Sequence, residues 1–71
     1  MRFSLKEDVT VETEDGSLKT LRIGDVIDAD PNEVKAFRAR GEILVPVMGS
    51  YDDVWYIETE YMYNLLPNHL K

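Results

Sequence analysis

Four aromatic rings and four carboxylates fall in one stretch of the chain: Asp52, Asp53, Trp55, Tyr56, Glu58, Glu60, Tyr61 and Tyr63. Carboxylates at this density can gather a hard cation, and a pair such as Glu58 and Glu60 can exchange protons as general acid and base. Both chemistries need a dry, walled site. A chain of 71 residues has material for one core and little wall beyond it. Recognition makes smaller demands: Tyr and Trp dominate binding hot spots, and neighbouring acids add charge complementarity. The set therefore points to non-catalytic contact with a protein partner that is basic or partly apolar.

The remaining reactive residues are explained by local structure. "DADPNE" sets Asp28, Asp30 and Asn32 at the first three ligand positions of a calcium loop. Glu33 then stands where that loop needs glycine, and Ala39 where it needs the closing glutamate. Helix capping accounts for Asp30 and Glu33 more simply. His69 is the single histidine and sits at the frayed end of the chain, a poor place for a general base. Ser4, Ser17 and Ser50 have no relay partner in view. Lys35, Arg38 and Arg40 could hold phosphate, but they cluster at the end of a helix signal where the dipole favours cations. Gly16, Gly24, Gly41 and Gly49 are too dispersed for a phosphate loop. No cofactor, metal or catalytic residue is expected.

Composition bounds the class. With 44% hydrophobic and 31% charged residues, the chain reads as one small soluble domain over residues 1–71. Cysteine is absent, which removes disulfides and thiolate chemistry. "MRFSLKEDV" lacks a secretory apolar run, and nowhere do about 18 apolar residues follow one another, so a complete, cytoplasmic protein without membrane contact is expected. The net charge is −6, and between Arg40 and Lys71 there is no cation, while Glu42, Asp52, Asp53, Glu58 and Glu60 intervene. Phosphate neutralisation needs clustered cations, so direct nucleic-acid binding is not expected.

The elements that must carry these residues are mostly strands. Val9, Val11 and Thr13 alternate with Thr10, Glu12 and Glu14 up to Asp15-Gly16, a pair suited to a tight turn, and Leu18 to Ile23 can return as the second strand of a hairpin. Gly24-Asp25 marks a bend before a short strand at Val26-Ile27. Asp30 as cap, Pro31 in the first turn, Glu33 three residues beyond the cap and Gly41 as stop predict a helix over residues 31–40. In "ILVPVM", Ile43, Val45 and Val47 share a face, and Pro46, which cannot donate a ladder hydrogen bond, suggests an edge strand. "GSYDD" has turn composition. "VWYIETEYMYNLLP" fits two short strands about a turn at Thr59-Glu60. The same residues also fit one helix face. The expected fold is mainly β, a β-barrel or strongly bent antiparallel sheet with one short helix at about 31–40. The alternative is α+β with a C-terminal helix at about 53–66.

Two resemblances follow from these residues. "DGSLKTLRIGDVIDA" resembles the loop and Gly-Asp strand of a Src-homology-3-like small β-barrel, and "WYIETEYMYNLL" is similar to that fold's closing turn and last strand. The resemblance puts Tyr61 at the family's binding-surface tyrosine. Glu58 stands where a proline is usual, so it implies the fold more than proline-rich peptide binding. Gly24, Asp25, Ile27, Pro31, Gly41, Ile43 and Pro46 also resemble a pattern of small phage and mobile-element proteins, which implies a provenance and no activity. Three roles follow: a protein-binding module using the aromatic, acidic surface; a self-assembling or virion-associated component pairing through the edge strand near Pro46; and an acidic inhibitor that mimics nucleic acid.

Overall fold

The structure is a computed structural model and describes residues 1–71. The hairpin forms where the alternation places it. Strand β2 (Val9–Thr13) pairs antiparallel with β3 (Leu18–Leu21), in register from Val9 opposite Leu21 to Glu12 opposite Leu18. The Thr13 N–H donates to the Ser17 carbonyl at 2.8 Å and closes a three-residue loop in which Gly16 alone takes a positive φ, +88°. The Asp15 carboxylate accepts from the Thr13 hydroxyl and from the Ser17 N–H, which holds its pKa down from 3.8 to about 2.

Strand β3 stops at Leu21, two residues before the expected Ile23. Carboxylates divert the chain there: Asp25 accepts the Arg22 N–H at 2.8 Å and Asp8 accepts the Ile23 N–H at 2.9 Å. Strand β4 (Val26–Asp28) then pairs with β1 (Arg2–Ser4), a strand that the sequence reading did not anticipate. Helix α1 (Pro31–Ala39) starts on Asp30, whose Oδ1 accepts the Asn32 N–H at 2.9 Å, and ends at Gly41 with φ +75°. Glu33 makes no reciprocal capping bond.

Strands β5 (Leu44–Met48) and β6 (Val54–Glu58) pair over five positions, from Leu44 opposite Glu58 to Met48 opposite Val54. The C-terminal segment divides between the two expectations. Residues 54–58 are a strand; the second strand expected after Thr59-Glu60 is instead helix α2 (Thr59–Leu65), followed by a 3₁₀ turn at Asn68–Leu70. The ladder to β5 ends with the Thr59 N–H donating to the Ile43 carbonyl at 2.8 Å, and α2 turns Met62 inward, with Leu66 buried at its end.

The sheet order is β1-β4-β5-β6-β2-β3, antiparallel throughout. Its edges, β1 and β3, do not pair with each other, so the sheet bends without closing into a barrel. Strand β5 lies inside it, which corrects the edge-strand reading of Pro46. Backbone bonds join Gly49 to Asp53 and Thr59 to Ile43, so alternation puts the 45:57 and 47:55 pairs in hydrogen-bonded positions and 46:56 between them. The Pro46 nitrogen therefore points away from β6, towards β4. Only Asp28 of β4 is in register with β5, opposite Met48, so the ladder stops short of Pro46. An interior strand tolerates proline because that position has no partner to disappoint.

One face of the bent sheet carries Phe3, Val11, Leu21, Ile27, Val45, Val47 and Ile57, and Val34 of α1 and Met62 of α2 complete a single buried core with them. No helix is long and apolar enough to cross a membrane.

Candidate functional site

Strand alternation assigns every other residue to the opposite face, and the registers arrange those residues in rows. One row runs Leu18, Glu12, Tyr56, Pro46. The next runs Val54, Met48, Asp28, Arg2, and a third sets Glu58 beside Leu44. The buried side chains of both helices belong to the core side, so this outer face lacks a covering layer. Leu18 is 70% exposed, Val26 42% and Met48 41%, while Leu44, Pro46, Val54 and Tyr56 are half-buried. The surface is apolar in its middle, and Glu12, Asp28 and Glu58 punctuate it.

Two open grooves meet on this face. The larger, about 620 Å³, runs from the start of α1 to β5 and β6, with Pro31, Glu33, Pro46, Met48 and Val54 among its walls. The second, about 370 Å³, lies between β4 and the turn after β5 and includes Arg2, Val26, Gly49 and Asp52. Asp28 and Met48 line both. The Asp28 Oδ1 holds the N-terminal amine at 2.7 Å. Asp30, which caps α1, is at the rim of the larger groove. Both carboxylates of the calcium-loop motif thus have structural duties, and nowhere do three His, Asp or Glu side chains converge as a metal would require.

The eight aromatic and acidic residues singled out from sequence do not form one surface. Tyr56 and Glu58 lie together on the outer face. Trp55 lies on the core face at its margin, half-buried, with the Lys19 ammonium 5.3 Å from its ring centre. Tyr61 and Tyr63, on α2, rest against the core, and the Tyr61 hydroxyl accepts the Lys6 N–H at 3.3 Å. The Arg38 guanidinium stacks 4.2 Å from the centre of Tyr63 while its Nε holds Glu60 at 2.9 Å. Asp52 and Asp53 are exposed in the turn between β5 and β6. Lys19, Arg38 and Lys71 fold back onto the rings, so the cation-poor stretch of sequence is not a cation-free surface.

Residues outside the sequence-derived set complete the outer face: Val26, Leu44, Pro46, Met48 and Val54. For Leu44, Pro46 and Met48 the signal was present in "ILVPVM", which is apolar at every position, so both faces of that strand had to be apolar, and the helices cover one. Tyr51 is also outside the set and is the most exposed aromatic, at 89%. Comparison with protein-family models, curated proteins and solved structures finds no match to the chain. What can be said of function therefore rests on this geometry.

Proposed function

We propose that the protein is a non-catalytic protein-binding module whose contact surface is the outer face of β4, β5 and β6. One observation carries the reading: an apolar surface of Pro46, Met48, Val54 and Tyr56, flanked by Leu44 and Val26, is left without a covering layer. A small domain hides its large apolar side chains where it can, and a contiguous uncovered group of them is the common mark of an interaction site. Tyr56 is the natural anchor, half-buried at the centre of a cross-strand row with Pro46 on one side and Glu12 on the other. The grooves are open and shallow, which suits a macromolecular partner better than turnover of an enclosed substrate.

The test is capture of partners from the lysate of the source organism by the wild type and by the Tyr56→Ala and Met48→Lys variants. Loss of a hot-spot aromatic should weaken capture about tenfold or more, while circular dichroism remains unchanged. Full capture by both variants overturns the reading. Tyr61→Ala and Tyr63→Ala serve as controls, because those rings support α2 and should affect stability before binding.

A further inference from the structure

The charges around the two grooves specify what kind of chain segment would lie in them, and the inference rests on the outer face being the docking surface. We infer that its occupant is a short peptide segment with an apolar centre and Lys or Arg at the end that meets the start of α1. The apolar centre meets Pro46, Met48 and Val54, which share the groove of about 620 Å³, within the range of sites that bury a few ligand groups. One end of the trough carries Asp30 and Glu33, and the other carries Asp52 and Arg2.

The molecule forms two ion pairs only, the N-terminal amine with Asp28 and Arg38 with Glu60. Glu33 therefore faces the trough without a cation of its own. Asp30 spends one oxygen on capping α1 and makes no ion pair. Asp28 is already held by the N-terminal amine, so Arg2, which lines the second groove together with Asp52, offsets Asp52 there. The trough thus presents surplus negative charge at its α1 end, where Asp30 and Glu33 lie, and apolar surface next to it. An anionic polymer would meet repulsion at the α1 end, and an uncharged apolar segment would leave Asp30 and Glu33 uncompensated.

The experiment is a titration of the ¹⁵N-labelled full chain, followed by amide shifts, with acetylated and amidated peptides. The probe is Lys-Lys-Leu-Val-Leu-Lys-Lys. One comparison replaces every Lys with Glu, and another replaces the Leu-Val-Leu centre with Ser. The Lys-ended probe should move the amides of Asp28, Asn32, Met48 and Val54 saturably, and added salt should weaken it. Glu33→Lys should weaken it about fivefold, the upper range for one exposed ion pair.

Equal shifts with the Glu-ended peptide would overturn the charge assignment while leaving the docking face in place. Equal shifts with the Ser-centred peptide would overturn the apolar anchor, and saturable shifts confined to α1 and α2 would overturn the location. Should no peptide move these amides while Met48→Lys retains wild-type capture of partners, the docking face itself fails along with the inference.

Discussion

Gly49 and Trp55 meet so closely that a β-carbon on Gly49 would collide with the indole Nε1 of Trp55. The glycine is needed for space, since its backbone is not in the left-handed region, and it lets the ring lie across the turn that carries β5 into β6. Gly49→Ala should expel the indole from this position and cost about 1–3 kcal/mol, as overpacking does. Tryptophan emission should shift to the red and the urea midpoint should fall. An unchanged spectrum and midpoint would mean that the ring is not held there.

Thr59 is 1% exposed, and its Oγ1 is the one buried side-chain oxygen or nitrogen without a hydrogen-bond partner. A stranded hydroxyl costs stability that an isosteric methyl would not. Thr59→Val should therefore stabilise the protein by about 1 kcal/mol, seen as a higher denaturant midpoint at constant slope. A lower midpoint would show that the hydroxyl has a partner in solution.

Arg38 joins the two helices by bonding Glu60 while stacking on Tyr63. The ion pair is about half exposed, so a double-mutant cycle between Arg38→Ala and Glu60→Gln should return about 0.2–1 kcal/mol and shrink in salt. The stacking should survive the Glu60 change, leaving Arg38→Ala the costlier single variant by a margin that salt reduces little. Equal costs for the two single variants would contradict the stacking.

Asp15 titrates from 3.8 towards about 2 because the Thr13 hydroxyl and the Ser17 N–H bond its charged form. A depressed folded pKa contributes stability above the unfolded value, and that stability is lost as pH falls through the folded one. The β2–β3 turn should hence loosen between about pH 4 and pH 2. Carboxyl NMR should place the Asp15 midpoint near the lower value, and Thr13→Val should move it up. A midpoint that ignores Thr13 would refute the assignment.

The elements legible in the sequence were those fixed by neighbours along the chain. Asp15-Gly16 sets the hairpin turn, and Asp30, Pro31 and Gly41 bound α1 to within a residue of its expected end. Strand β1 escaped because its partner is β4, far along the chain, and pairing of that kind leaves no local mark. Pro46 misled for a related reason. Proline rules out a partner at one position on one side of a strand, and a strand end can meet that condition as well as a sheet edge can. The residues at 54–65 satisfy both periodicities, and tertiary supply decided between them: β5 and Ile43 just before it offer partners up to Thr59 and none after it.

The candidate site was legible by residue type but not by placement. Trp55 and Tyr56 had to point to opposite sides of a strand, yet which side would stay open depends on where α1 and α2 lie. That arrangement takes Tyr61, Tyr63 and Trp55 to the core side and leaves Tyr56 with Met48 and Val54, which sequence type alone did not recommend.

The most direct test of the outer face as a docking surface is photo-crosslinking from single positions in the source cell. A benzophenone side chain at Met48 or Tyr56 should trap a partner protein, and one at Ile43, exposed at 79% but off the apolar rows, should not. Crosslinks from Ile43 with none from Met48 or Tyr56 would contradict the account.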